Sequence, residues 1–411
     1  MGIRGILIDL DGPLLVDGSS TPRASVRDFV TALKERGLFV GAMTNQPVID
    51  STIRLEKSGL RVDTIHCSGH PECKNKPGGT LVAHFCNTHG LQPHQILVIG
   101  DDDFGFIEAM NGRAMGFHAA WGMGDGKYGI HVETPQEFLD YLDVFFMKDA
   151  LWYAKYTERD SAGRDVILRT LIDANGAGSP ALRSAVLQTL KDRNDANVAG
   201  ASLSAFLMMH MIASLYLEGF LSIDRKEVLW QIYPGHSPAS QPPPLIQAAI
   251  EGFRLFRSKA AVKELYGLTR WREALQSHVA RQSAADRSKV RFQNQISSVY
   301  LAEGTRVEGK RIFVIDDFCT EGYSLEAARN LYFAAGARSV NLFAFGKYGD
   351  RYVEVVPELG TAIEPYKQKA YKDGQFDFAT VHADIDADGL TEFTASARRL
   401  RGSPIAPKLL T

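Results

Sequence analysis

The chain has 411 residues, 45% of them apolar and 23% charged, enough for two or three domains with ordinary cores. Its formal net charge is −2 and no polybasic block interrupts it, which argues against nucleic acid or an anionic membrane as partner. Its four cysteines do not make a disulfide framework, and Met1 to Asp9 runs into a strand rather than a signal peptide, so a cytoplasmic protein is expected.

The first apolar run, Gly5-Ile6-Leu7-Ile8, ends in Asp9-Leu10-Asp11-Gly12. On a strand leaving its sheet, that spacing puts one carboxylate at the strand end and a second two residues on, at the loop. One can attack while the other handles protons. Leu38 to Met43 reads as another strand, ending at Thr44-Asn45. Lys76-Pro77-Gly78-Gly79 precedes a helical segment, and Ile96-Leu97-Val98-Ile99 ends in Gly100-Asp101-Asp102-Asp103. In an open parallel sheet, such strand ends face one crevice, which is where these sheets bind ligands.

This set, over roughly Met1 to Asp143, resembles the haloacid dehalogenase (HAD) superfamily of phosphohydrolases, with its four motifs in order. The resemblance implies Asp9 as the nucleophile that takes the phosphoryl group and Asp11 as the group that protonates the leaving oxygen and then activates water. Thr44 would hydrogen-bond the phosphoryl oxygens and Lys76 would offset their charge. Mg²⁺ would fall to Asp9, Asp11 and Asp101. The family's second acid, four residues after Asp101, is replaced by Gly105, and Asp102 is expected to stand in for it. An anionic nucleophile approaches a phosphate only when a metal and a lysine neutralise the site. About thirty residues separate Asp11 from Thr44, and about thirty separate Asn45 from Lys76, so the cap is minimal. An open site of this kind suits a bulky substrate or one delivered by a neighbouring domain.

His66-Cys67-Ser68-Gly69-His70-Pro71-Glu72-Cys73 gathers two thiols and two imidazoles. It resembles the zinc loop of histidinol- and heptose-phosphate phosphatases, and Cys67, His70 and Cys73 are the zinc ligands that resemblance implies. Lys74 and Asn75 stand where that family's loop ends in Cys-x-Cys. Thr134-Pro135-Gln136-Glu137 is a capping box with Pro at the first helical position, and Lys148-Asp149-Ala150 follows as a hinge.

Beyond it, Leu151 to Tyr156 and Arg164 to Ile172 read as strands. Val198 to Leu217 contains no Asp, Glu, Lys or Arg, but Ser, Gly, Ala and His210 dilute it, so a buried helix is expected rather than a membrane span. Val228 to Tyr233 is a strand running into Pro234-Gly235-His236-Ser237-Pro238. Arg270 to Arg291 is rich in arginine, and it reads either as a solvated face or as a loop that closes over an anion.

The last motif runs from Lys310 to Ala328. An apolar strand, Ile312 to Ile315, meets Asp316-Asp317, a loop from Cys319 to Ser324, and a helix opening at Leu325. A strand–loop–helix turn aims backbone N–H groups and a helix N-terminus at one spot, which suits a phosphate. The stretch resembles the phosphoribosyl-pyrophosphate (PRPP) motif of type I phosphoribosyltransferases. That implies ribose binding by Asp316 and Asp317, and 5′-phosphate binding by the loop of Thr320, Glu321, Gly322, Tyr323 and Ser324. It implies pyrophosphate binding by His236 and Ser237. The segment before the motif resembles that of competence-protein-type members, which implies Arg281 or Arg287 on the leaving group. Glu321 replaces a threonine usual in the family.

Together these resemblances imply an α/β protein of two doubly wound parallel-sheet domains, one HAD-like with a minimal cap and one of phosphoribosyltransferase fold. The expected boundaries are 1–147 and 148–360, with an extension over 361–411 of unread role. The implied function is bifunctional and Mg²⁺-dependent: PRPP-dependent transfer to a base-like acceptor, then phosphomonoester hydrolysis to a nucleoside-like product. Fusions with this domain order are associated with bacterial stress-response and tellurite-resistance clusters. The alternative is a PRPP fold that senses a nucleotide and controls the phosphatase, which Glu321 favours. A homo-oligomer is compatible with either.

Overall fold

The computed structural model describes residues 2–149, 152–176, 180–190, 197–198, 201–246, 267–274, 287–372, 374–386, 395–396 and 399. The first sheet comprises β1 (Gly5–Asp9), β2 (Phe39–Thr44), β3 (Thr64–Cys67), β4 (Ile96–Gly100), β5 (Met115–Ala119) and β6 (Ile130–Val132). Their order is β3-β2-β1-β4-β5-β6, and every neighbouring pair is parallel. Every residue of β1 and β4 is buried, which is why both read as continuous apolar runs. The helices α1 (Val26–Glu35), α2 (Val48–Ser58), α3 (Thr80–His89) and α4 (Asp103–Asn111) alternate with β1 to β5, a short 3-10 turn (Ala120–Gly122) lies between β5 and β6, and α5 (Pro135–Tyr141) follows β6. The chain winds from β1 to one edge, then returns to β4 and winds to the other. The switch point lies between the ends of β1 and β4, where Ile8 pairs with Ile99, so Asp9 and Asp101 emerge side by side. The Thr134 hydroxyl accepts from the Glu137 N–H (3.1 Å) and caps α5, but Glu137 Oε2 accepts from the N–H of Glu133 (2.7 Å), one residue before the cap, so the expected capping box forms only in part.

The second half is built on α6 (Pro180–Leu190), α7 (Leu203–Leu217), α8 (Arg287–Ile296) and α9 (Tyr323–Ala334). Its main strands are β7 (Ala154–Arg159), β8 (Asp165–Asp173), β9 (Val228–Ile232), β10 (Leu268–Arg270), β11 (Val299–Leu301), β12 (Arg311–Cys319), β13 (Ser339–Lys347), β14 (Arg351–Pro357), β15 (Phe376–His382) and β16 (Asp384–Ile385). The sheet order is β9-β12-β13-β8-β7-β16. This sheet departs from the all-parallel expectation. β9, β12, β13 and β8 are parallel, but β7 and β16 join antiparallel. The cause is the short Asp160–Arg164 turn, where Asp160 Oδ1 accepts from the Ala162 and Arg164 N–H groups. A turn of that length makes a hairpin and cannot carry a parallel crossover. β12 also runs to Cys319 rather than ending at Ile315, so Asp316 and Asp317 sit within the strand's second half.

The charge-free segment forms α7, buried on all sides because the two halves pack against it. The Tyr216 hydroxyl accepts from the Met115 N–H (3.0 Å) and donates towards the Pro93 carbonyl (2.6 Å). On the first half, Phe145 meets the rings of Phe206 (5.8 Å) and His210 (5.5 Å). One hydrophobic cluster runs from Ile6 and Ile99 through Phe206 to Phe313 and Phe343. Among the described residues, no helix is long and apolar enough to cross a membrane. The chain beyond residue 360 pairs β15 with β14, places β16 at the sheet edge, and brings the Ser396 hydroxyl to the Val144 carbonyl (3.4 Å).

Candidate active site

Asp9 closes β1 and is only 4% exposed, because the sheet has carried it to the switch point between two buried strands. Lys76 Nζ donates to Asp9 Oδ2. Asp101 and Asp102 follow β4, and carboxylate oxygens of Asp9, Asp101 and Asp102 lie within 4.8 Å of one another. Burial pushes the Asp9 carboxyl up to about 7 in spite of Lys76, and the charges of Asp102 and Asp101 push the same way. Burial and then Asp102 push Asp101 up to about 6. Burial alone would lower the Lys76 ammonium, but Asp9 outweighs it and the net direction is upward. Three carboxylates facing one lysine leave an excess of negative charge that a hard divalent cation would offset. The three acids therefore fit Mg²⁺.

The backbone closes tightly around the trio. Gly12 holds φ at 83°, and a Cβ there would overlap the Asp101 carboxylate. Asp102 caps α4, with Oδ1 accepting from the Gly105 N–H (2.7 Å). Gly105 faces the site: a Cβ at that position would lie 3.8 Å from Asp9 Oδ2 and only 3.2 Å from the Gly100 Cα. The close approach of α4 to β4 leaves little room for a side chain where the resemblance would put a second acid.

Thr44 ends β2, buried, and its hydroxyl accepts from the Gln46 N–H (3.1 Å). The Lys76 N–H donates to Asn45 Oδ1 (2.7 Å), tying the Lys-Pro segment to the end of β2. Asp11 stands outside the carboxylate trio. Gln46 Nε2 donates to its Oδ2 (2.9 Å), and Arg54 Nη1 (3.2 Å) and Nη2 also donate to the carboxylate. Sequence reasoning missed Gln46 and Arg54, because nothing local links α2 to the Asp-x-Asp turn. It also missed Glu108, a buried acid on α4 whose oxygens accept from the N–H groups of Gly79 (2.6 Å), Leu81 (2.8 Å) and Val82 (3.3 Å). Glu108 thereby caps α3 and fixes the segment bearing Lys76.

The expected zinc set is rearranged. Cys67 stands outside the cluster, while Cys73 and His70 are gathered with His84 from α3. His84 went unnoticed because it lies eleven residues beyond Cys73, across the Lys-Pro segment.

In the second half, Asp316 and Asp317 lie beside the loop after β9. The Tyr233 N–H donates to the Ile315 carbonyl (2.9 Å), and the Tyr233 hydroxyl donates to Gln295 Oε1 (2.9 Å). Burial, then the Asp317 charge, holds Asp316 well above the usual carboxylate range. Gly322 caps α9 with φ at 85°, where a Cβ would overlap the Tyr352 ring. Tyr323 is buried as the first residue of that helix, and Thr320 is exposed at the turn. Glu321 pairs with Arg351 (3.4 Å). Lys347, buried under the turn, donates to the carbonyls of Thr320, Tyr348 (3.2 Å) and Arg351 (2.8 Å). His236 is exposed, with Nδ1 3.4 Å from the Ser240 hydroxyl, and the Ser237 hydroxyl is 2.9 Å from the same oxygen. Arg270 is buried on β10; its guanidinium donates to the Gly235 carbonyl and lies 5.6 Å from the Tyr233 ring centroid. Arg281 lies outside the described residues, and so does the side chain of Arg287.

No protein-family model matches the chain, and no curated protein does. Several solved structures are similar to it over about a third of its length. One is a haloacid dehalogenase-like hydrolase family protein from Streptococcus pneumoniae, 18% identical over 34% of this chain and 98% of that one, with a TM-score of 0.29. Another is a HAD-superfamily hydrolase of subfamily IA from Geobacter sulfurreducens, 13% identical over 34% of this chain and 97% of that one, with a TM-score of 0.29. A third, a HAD family hydrolase from Deinococcus radiodurans with bound phosphate and sodium, is 12% identical over 33% of this chain and 93% of that one, again at 0.29.

Proposed function

We propose that this chain hydrolyses phosphomonoesters at the end of its first sheet, through a phosphoryl group held on Asp9. The observation that carries the reading is the buried Asp9 with Lys76 on one oxygen and Asp101 and Asp102 beside it. Asp9, Asp101 and Asp102 would hold Mg²⁺, which supplies charge neutralisation for the incoming phosphate. In the first step a carboxylate oxygen of Asp9 bonds to phosphorus as the ester P–O bond breaks, and the leaving oxygen takes a proton. In the second, water attacks phosphorus, inorganic phosphate leaves and the Asp9 carboxylate is regenerated. Lys76 pairs the anion in both steps, and the Thr44 hydroxyl would donate to a phosphoryl oxygen. Asp11 is the proton carrier, and its contacts with Arg54 and Gln46 must open as substrate arrives. The test is phosphate release from a panel of sugar and nucleotide monophosphates with Mg²⁺. Asp9→Asn should abolish release from every substrate that the unaltered chain hydrolyses.

The second sheet supports a second site for PRPP. Glu321, the residue that favours the regulatory alternative, pairs with Arg351 (3.4 Å), and a cation on its carboxylate lessens the repulsion of a neighbouring phosphate. Transfer would join an acceptor nitrogen to C1 of the ribose as the bond to pyrophosphate breaks, with Asp316 and Asp317 on the ribose hydroxyls. The product is a phosphate monoester, the substrate class of the first site, and fusion would raise its local concentration there. PRPP, Mg²⁺ and a panel of bases should release pyrophosphate. Tight nucleotide binding without release would instead favour the nucleotide-controlled phosphatase.

A further inference from the structure

Two turns after β3 and the second turn of α3 place three metal-ligating side chains together. His70 and Cys73 sit on consecutive turns, the His70 N–H donating to the Cys67 carbonyl (3.0 Å) and the Cys73 N–H to the His70 carbonyl (2.9 Å). His84 comes from α3, and its ring lies 4.4 Å from that of His70, centroid to centroid. A nitrogen of each imidazole and the Cys73 sulfur all lie within 4.8 Å of one another. Glu72 is exposed at the edge of this cluster, with Oε2 3.8 Å from His84 Nε2. We propose that His70, Cys73 and His84 bind one thiophilic divalent cation of the zinc class, with Glu72 as the fourth ligand.

The donor set decides the class of ion. One thiolate, two imidazoles and a carboxylate suit zinc, whereas magnesium and calcium take oxygen ligands. A tetrahedral ion at about 2.0–2.3 Å from its ligands sets neighbouring donors roughly 3.5 Å apart, so the cluster need close by only about 1 Å. Beyond the ligands, His66 Nδ1 lies 2.8 Å from His84 Nδ1, His66 Nε2 lies 2.8 Å from the Thr64 hydroxyl, and that hydroxyl lies 3.1 Å from His89 Nε2. This relay can run in either direction. The direction that puts a proton on His84 Nδ1 leaves the Nε2 lone pair facing the cluster, as an outer partner does for a metal-bound histidine.

The ligands bracket Lys76 in the chain. An ion here ties the turn before Lys76 to the helix after it, and so fixes the arm that reaches Asp9. That consequence rests on the phosphatase reading, but the site itself does not. Cobalt(II) titrated into the metal-stripped full chain is the probe, because Co²⁺ bound to a thiolate gives a near-ultraviolet charge-transfer band that oxygen ligands do not. The band should saturate at one equivalent, yield to Zn²⁺, vanish in Cys73→Ser and persist in Cys67→Ser. His84→Gln should weaken Co²⁺ binding at least tenfold, and it carries the test should Cys73→Ser fail to fold. A chain that gives no such band, a band that follows Cys67 instead, or unchanged affinity in His84→Gln would overturn the proposal. Loss of hydrolysis with the band intact would count against the phosphatase reading alone.

Discussion

Glu108 and Lys76 are linked without touching. The Glu108 carboxylate holds the N–H groups of Gly79, Leu81 and Val82, and the segment it anchors delivers Lys76 to Asp9. Glu108→Gln would keep the shape but replace one acceptor oxygen with a donor amide. The expected cost is about 1–3 kcal/mol in stability, from N–H groups left unpaired in a buried place. Phosphate release should fall with it, mainly in kcat, as Lys76 loses its register. Chemical denaturation and steady-state kinetics on the same preparation check both.

The carboxylate trio makes metal-free stability depend on pH. Asp9 at about 7 and Asp101 at about 6 stand above their ordinary 3.8, so both hold protons more tightly folded than unfolded. Their contribution is fully present below about pH 4 and is lost as pH rises through 6 and 7. Mg²⁺ competes with those protons. Its gain in Tm should therefore be larger at pH 8 than at pH 5, about 5 °C or more at a hundredfold excess over its Kd. Thermal scans with and without Mg²⁺ at the two pH values measure this, and Asp101→Asn should shrink the difference.

Gly105 is closely packed at this site. A Cβ there meets the Gly100 Cα at 3.2 Å and Asp102 Oδ1 at 3.3 Å. Gly105→Ala should cost about 1–3 kcal/mol by overpacking and displace the Asp102 cap. Mg²⁺ affinity, read by calorimetry, should fall with it.

The proposed PRPP site should be separable from the first. Lys347→Met removes the buried donor shared by the carbonyls of Thr320, Tyr348 and Arg351. A loss of at least about 2 kcal/mol is expected from the stranded acceptors. Binding of PRPP or nucleotide should weaken, while phosphate release by the first site at low temperature should stay within twofold.

What the sequence disclosed follows a physical division. β1, β2 and β4 are buried strands whose polar ends stand in one crevice, so short apolar runs ending in Asp9, Thr44 and Asp101 carry their signal locally. The charge-free α7 was legible for the same reason, although only the packing shows that it is buried from both halves. The remainder is long-range. Arg54 reaches Asp11 from another element, His84 joins Cys73 across the Lys-Pro segment, and Lys347 meets Thr320 from the neighbouring strand. No periodicity or spacing encodes such meetings. The antiparallel β7 was a local matter read incompletely, since the brevity of the Asp160–Arg164 turn already forbids a crossover.

The most direct test of a phosphoryl group on Asp9 is acid-quench trapping. The full chain is mixed with a ³²P-labelled phosphomonoester and Mg²⁺, stopped in acid within the first turnovers, and digested. The expected result is an acid-stable, hydroxylamine-labile label on the peptide containing Asp9, absent from Asp9→Asn. Hydrolysis that persists in Asp9→Asn, or that runs at full rate with the label elsewhere, would contradict it.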